Sequence, residues 1–176
     1  MKRIIVAWTA LTLVQSVWAM QIDGARAGQE AALRLTSAAF SDGRTIPAQY
    51  TCDGRNISPP LAWRPVPPGT RSFALIMDDP DATRGTWVHW VIFNIPPDTP
   101  ELAENVKTDA EFDGGIRQGL NSALKIGYRG PCPPAGSHRY RFKIYALDTM
   151  LPLKPGATKA DVLRAILEHH HGRDGQ

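Results

Sequence analysis

Two apolar segments joined by an acidic turn constrain the fold more than any other part of the sequence. Residues 71–78 and 86–95 both alternate like strands, but neither segment has a polar face. Such strands must be covered on both sides, so we predict that they are central strands of a sheet. The turn Asp79-Pro80-Asp81 separates them, and Pro96-Pro97 ends the second.

Other patterns indicate further strands and one helix. Leu33 and Leu35 suggest a first strand, and residues 139–148 alternate as a half-buried strand. Residues 98–127 lack a sustained period and are predicted to be a long connection with short strands. Thr158 and Asp161 form an acidic variant of a capping box before an apolar stripe of helical spacing. These patterns predict a mainly β domain with two packed sheets and a C-terminal helix.

The first nineteen residues have the pattern of a secretory signal peptide. A charged start precedes an apolar run that is short for a membrane span, and small residues precede a cut after Ala19. The alternative is an uncleaved anchor. We expect signal peptide 1–19, mature N-terminal segment 20–32 and a single domain 33–176. The protein is expected to be secreted, in the periplasm, with no transmembrane segment after cleavage.

The charge pattern argues against nucleic acid as a partner. Lys2 and Arg3 supply most of the formal net charge of +3, and no basic run or arginine stripe follows them.

Cys52 and Cys132 are the two cysteines of the chain. In an oxidising compartment they are expected to form one disulfide, which would close a loop of about 80 residues. Two separate thiols are the alternative.

Polar residues cluster at the ends of two predicted buried strands. Asp79, with His89 just beyond it, could converge with His138 on one cavity if the strands are neighbours. The prolines of residues 131–134 would stiffen its wall. Such an apolar cavity with a few fixed polar groups suits a small ligand, and phosphate is the obvious anion. Taken singly, however, Asp79 can be ordinary turn chemistry and His89 a packed core histidine.

Enzymatic alternatives have weaker support. Two histidines and an aspartate could form a metal triad, but no local metal-binding spacing is present. Ser137 precedes His138 without a nucleophile motif, and the Asp79 and Asp81 pair lacks other signs of a glycan cleft. Residues 169–171 are a histidine run expected to be a solvated helix end. We therefore expect no enzymatic activity, no cofactor and no metal site.

Several motifs together resemble one known family. The stretches YTCDGRNISPPLAW, DDPDA, GTWVHWVIFNIP and GPCPPAGSHRYRFKIYALD occur in this order. They are similar to the phosphatidylethanolamine-binding protein family, in particular its bacterial branch labelled Raf-kinase-inhibitor-like. The resemblance covers about residues 33–168.

The resemblance implies a β-sandwich with a large central antiparallel sheet, a C-terminal helix and one small anion pocket. It implies support of that pocket by Asp81, Arg139 and Trp87. The residues that would contact ligand are Asp79, His89, Pro131, Pro133, Pro134, His138 and Tyr140.

The family resemblance also implies function. Its members bind phosphate, acetate or phospholipid head groups, so we expect a small anionic or phosphorylated ligand. Some inhibit kinases or serine proteases, which makes such a protein partner the alternative. The sequence departs from the family pattern after residue 168, where the family usually continues into another apolar segment that packs near the rim of the pocket.

Overall fold

The computed structural model describes residues 32–171 as two antiparallel sheets and one α-helix. The predicted signal peptide 1–19 and nearly all of segment 20–32 lie outside the described residues. The strands are β1 (Arg34–Thr36), β2 (Leu61–Arg64), β3 (Ser72–Asp79), β4 (Trp87–Ile95), β5 (Glu101–Leu102), β6 (Glu111–Phe112), β7 (Ile116–Gln118) and β8 (Arg141–Leu147), and the helix is α1 (Lys159–His171).

The two doubly apolar strands are central, as the sequence predicts. The large sheet has the order β6-β7-β4-β3-β8, and the small sheet has the order β1-β2-β5. All eight residues of β3 are buried, and β4 is buried from His89 onward. The prediction of a mainly β fold with two sheets and a late helix is therefore confirmed.

Both faces of the large sheet are covered, by different layers. One face packs against the small sheet through Trp63 of β2 and Phe73 of β3, whose rings meet edge to face at 5.4 Å. The opposite face packs against α1, where Val162 and Ile166 join Ile76 and other residues of β3 and β4. Burial of these apolar side chains between the layers provides the main stabilisation of the domain.

Two irregularities in β4 change which way its side chains point. Met77 pairs with Trp90 but Asp78 pairs with Val88, so His89 is an extra residue in a β-bulge. Simple alternation predicts that His89 shares a face with Val91. This is wrong, because the His89 ring contacts Tyr140 on the side of the small sheet.

The second irregularity lies near the end of β4. Asn94 has a positive φ of 58°, and the register shifts again between Phe73 and Leu75. Ile95 consequently packs in the cluster between the sheets rather than with Val91 and Phe93, so its predicted face is also wrong. The buried Asn94 side chain exchanges two hydrogen bonds with the backbone of Leu151, at 2.8 and 3.0 Å.

The predicted capping box of the helix is present. The amide of Asp161 donates to Thr158 Oγ1 at 3.2 Å, and the Thr158 amide donates back to the Asp161 carboxylate at 2.9 Å. Within residues 32–171, no helix combines the length and the apolar character needed to cross a bilayer.

Candidate functional site

A cavity of about 570 Å³ opens where β3 ends and β4 begins. It brings together most of the residues that the sequence analysis assigned to a pocket. Of the residues predicted to contact ligand, it is lined by Asp79, His89, Pro133, Pro134, His138 and Tyr140. Trp87, predicted as support, and Cys132, predicted as a disulfide partner, also line it.

Asp79 and His138 form a buried pair at this cavity. The Nδ1 atom of His138 lies 2.7 Å from Asp79 Oδ2. The other carboxylate oxygen of Asp79 accepts a hydrogen bond from the Asp81 amide at 2.8 Å. Both carboxylate oxygens are therefore held, and Nε2 is the nitrogen of His138 left for a ligand.

His89 is fixed in a similar way by a backbone carbonyl. Its Nδ1 atom lies 2.7 Å from the oxygen of Arg129, and because a carbonyl can only accept, Nδ1 carries the hydrogen. The side of its ring is closed by Tyr140, edge to face at 5.2 Å. Only 4% of His89 is exposed, and this burial lowers the pKa of its imidazole.

Tyr140 is neutral over the whole physiological pH range. Burial, together with the negative charge of Asp79, raises the pKa of its phenol to about 12. The hydroxyl is buried beside the backbone of Cys132, without a hydrogen bond of good geometry to any described residue.

Asp81 and Arg139 brace the site from outside. Arg139 donates to both carboxylate oxygens of Asp81, at 2.6 and 2.9 Å, and its backbone amide adds a third bond at 2.8 Å. These bonds hold the pKa of the Asp81 carboxyl well below its usual range. The turn after β3 is thus tied to the segment that carries His138.

Residues 128–132 form one wall of the cavity and are fastened to residues 50–56 on the neighbouring loop. The predicted disulfide between Cys52 and Cys132 is formed, with a Cα separation of 5.4 Å. The Cys52 amide also donates to the Pro131 carbonyl at 3.0 Å. Pro131 is buried in this contact and stands behind the cavity, whereas Pro133 and Pro134 line it.

Gly130 shows how closely the wall and the loop approach. Its amide donates to Asn56 Oδ1 at 2.7 Å. A Cβ atom at this position would lie 2.3 Å from the carbonyl oxygen of Tyr50, so the contact requires glycine. Tyr128 strengthens the same junction, because its hydroxyl donates to that oxygen at 2.7 Å.

The mouth of the cavity contains residues that the sequence analysis did not identify. Residues 82–86 line one side, and Ser122 and Arg129 line another. Arg84 and Arg129 are exposed, and Trp87 is 37% exposed at the same mouth. No sequence motif distinguishes these two arginines from other surface arginines. Their position is visible only once the loops have been folded together.

A second group was also missed, on the opposite face of β3. The buried carboxylate of Asp78 accepts hydrogen bonds from Lys143 of β8 and Lys159 of α1. Burial raises the pKa of Asp78, but the bonds and charges of the two lysines outweigh it, so the pKa is lowered. The partners lie 65 and 81 residues away in sequence, which hides the cluster from local pattern analysis.

A metal-binding arrangement is not found in the part of the chain that the structure describes. There, no three histidine, cysteine, aspartate or glutamate side chains group in a way that could hold an ion.

Comparison with known proteins identifies the family. The model of the family described as phosphatidylethanolamine-binding protein matches residues 36–174. The chain is 56% identical over 137 residues to the UPF0098 protein of Methanothermobacter thermautotrophicus, which covers 78% of this chain and 91% of that protein.

A solved structure and a further relative extend the likeness. The structure, from Chlamydia trachomatis, is described as a candidate phosphatidylethanolamine-binding protein homolog, CT736. It is 44% identical, with a TM-score of 0.71, over 77% of this chain and 88% of that one. LppC of Mycobacterium tuberculosis, named as a candidate lipoprotein, is 41% identical over 143 residues, which are 80% of this chain and 68% of that protein. The chain therefore belongs to the phosphatidylethanolamine-binding protein family.

Proposed function

We propose that this protein binds a small anionic or phosphorylated ligand in the cavity at the end of β3, and that it acts by binding rather than by catalysis. One observation carries the proposal. Two imidazoles, His89 and His138, line one cavity, and each has its Nδ1 atom held by the protein. The Nε2 atoms are thus oriented and can share hydrogen bonds with the oxygens of one ligand.

The rest of the cavity suits an anion that carries a larger group. Arg84 and Arg129 place positive charge at the mouth, and Trp87 offers an exposed aromatic surface. A volume of about 570 Å³ lies within the range of ordinary ligand pockets. The ligand is proposed to be phosphate or a phosphorylated small molecule such as a phospholipid head group.

We place this activity outside the cytoplasm, in the periplasm or a secreted form. Three features support this location: the signal-peptide pattern of residues 1–19, the disulfide, and the lipoprotein name of one relative. Fusion of the first 19 residues to a reporter that is active only outside the cytoplasm tests it, and an inactive reporter would count against it.

Binding is tested by titrating the protein with phosphoethanolamine while recording the ring ¹⁵N and ¹H signals of the histidines. We expect saturable shifts of the His89 and His138 signals. An absence of shifts in both rings at millimolar ligand would refute the proposed function.

A matched pair of variants separates the cavity from the rest of the surface. His138→Ala should weaken binding by at least about tenfold, since it removes a charge-assisted hydrogen bond. His169→Ala is the control, because His169 also pairs with an aspartate, Asp148 at 2.8 Å, but lies outside this cavity. Equal affinities of the two variants would show that the ligand binds elsewhere.

A further inference from the structure

The two imidazoles of the cavity would offer no hydrogen-bond donor to an anion if both rings were neutral. His89 and His138 each spend one N–H inside the protein, on the Arg129 carbonyl and on Asp79. In a neutral imidazole the remaining nitrogen, Nε2, holds a lone pair and accepts hydrogen bonds. Neutral rings in this arrangement would therefore repel a fully ionised oxyanion.

Two backbone amides of the wall are already occupied. The amide of Arg129 donates to the His89 carbonyl at 3.0 Å, and the amide of Gly130 donates to Asn56. Pro133 and Pro134 have no N–H to offer. The Tyr140 hydroxyl at the cavity has no partner among the described residues and can donate, so the two Nε2 atoms are the groups that require a proton from the ligand or the solvent.

The two imidazoles differ in how well they can carry that proton. His138 pairs with the carboxylate of Asp79 at 2.7 Å, and the negative Asp81 lies nearby. His89 faces a carbonyl, the Tyr140 ring and an apolar surround. Burial is the main influence on its pKa and lowers it, while the charges of Asp79 and Arg129 act in opposite directions. Of the two rings, His138 is therefore the one with a carboxylate partner for an added proton.

We infer that the cavity selects an oxyanion that still carries a hydrogen, such as the monoanion of phosphate or of a phosphate monoester. His138, protonated, donates from Nε2 to one ligand oxygen. His89, neutral, accepts the ligand hydroxyl hydrogen at its own Nε2. A ligand without that hydrogen leaves the buried acceptor of His89 unpaired. This specificity rests on the proposed function, because it concerns the same cavity.

Two matched ligand pairs test the inference on the purified protein by isothermal titration calorimetry. Phosphate and sulfate are both tetrahedral, but only phosphate keeps a proton near neutral pH. Methyl phosphate and dimethyl phosphate differ by one methyl group, but only the monoester can present a hydroxyl. We expect phosphate and methyl phosphate to bind at least about tenfold more tightly than their partners, the usual loss when a buried hydrogen-bonding group is left unpaired.

Proton uptake provides an independent readout. Repeating the phosphate titration at pH 8 in buffers with different ionisation enthalpies gives the number of protons bound with the ligand. We expect an uptake of about one proton, taken by the ligand, which is largely the dianion at this pH.

Variants assign the two roles. His138→Gln keeps a neutral donor but cannot carry a positive charge, so the affinity for phosphate should fall. His89→Gln replaces the acceptor with an amide that can donate, so the preference for phosphate over sulfate should shrink. His169→Gln, outside the cavity, should change neither.

The outcomes separate this inference from the proposed function. Equal affinity for phosphate and sulfate without proton uptake would overturn the inference and leave anion binding intact. If none of the four ligands binds or shifts the imidazole signals, the proposed function fails and the inference with it.

Discussion

Removing the disulfide should destabilise the domain mainly through its unfolded state. Cys52 and Cys132 are both exposed, so replacing each by serine removes the cross-link without burying a new hydroxyl. The link joins residues that are 80 apart in sequence. For a loop of that length, the lost restriction of the unfolded chain amounts to about 4.5 kcal/mol.

Removing the disulfide should leave the structure of the native state almost unchanged. The Cys52 amide, Asn56 and the Tyr128 hydroxyl still hold the wall to residues 50–56 without the covalent bond. Because measured effects usually fall below the chain-entropy value, we expect a loss of about 3–4 kcal/mol in the free energy of unfolding.

The assay is equilibrium urea denaturation at pH 7, comparing the native protein with the double variant Cys52→Ser, Cys132→Ser. The slope against urea must be compared as well, since a cross-link alters the compactness of the unfolded state. A dithiol reductant should weaken the native protein to the same extent and leave the double variant unchanged. A difference below about 1 kcal/mol would refute the loop-entropy reasoning for this disulfide.

Three further predictions concern single residues. Asp78→Asn should lower the free energy of unfolding by about 2–4 kcal/mol in thermal or urea denaturation, less than for a fully buried pair because Lys143 is partly exposed. The exposed Asp42→Asn is the control, and an equal effect of both would contradict the buried-pair account. Gly130→Ala should reduce both stability and ligand affinity, because its methyl group would collide with the Tyr50 carbonyl. Gly43→Ala, which is strained by a positive φ of 70° but lies in open space, should reduce stability alone, and unchanged affinity of Gly130→Ala would show that the wall does not position the site. The folded-state pKa of His89 lies below its unfolded value, so its contribution to stability is present above about pH 6.5 and is lost as the pH falls toward the lowered pKa. Between pH 8 and pH 5, the free energy of unfolding should therefore fall more for the native protein than for His89→Gln. An equal fall in both proteins would contradict this expectation.

The sequence predicts the central part of the fold because that part depends on patterns of residues close together in the sequence. An eight-residue strand such as β3, buried on both faces, has to be apolar throughout, and the capping pair Thr158 and Asp161 lies within one helical turn. The Cys52–Cys132 bond was predictable from the number of cysteines and the expected compartment.

The side-chain directions within β4 could not be read in this way. A bulge inserts one residue and reverses the alternation beyond it, and the sequence around His89 gives no turn residue that would reveal this. Asn94, with its positive φ, is a weak signal that could have been noticed, since asparagine tolerates that conformation better than most residues.

The site was predicted as a set of residues but not as a set of bonds. Asp79, His89 and His138 were expected to meet, and they line one cavity. The partner that fixes His89 is the carbonyl of Arg129, and a backbone atom carries no sequence signature. Arg84 was missed for a related reason, because its place at the mouth depends on how the loop of residues 82–86 lies over the strand ends.

The end of β3 places two neighbouring carboxylates on opposite sides of a sheet. Asp79 pairs with His138 at the cavity, and Asp78, one residue earlier, pairs with Lys159 of the helix. Adjacent codons should therefore give distinct phenotypes in a saturation-mutagenesis screen. Substitutions at position 78 should lower the amount of folded protein, whereas isosteric substitutions at position 79 should spare abundance and lower ligand occupancy. A selection that reports only on the level of protein in the cell would detect the effect of substitutions at position 78 but not the effect of those at position 79.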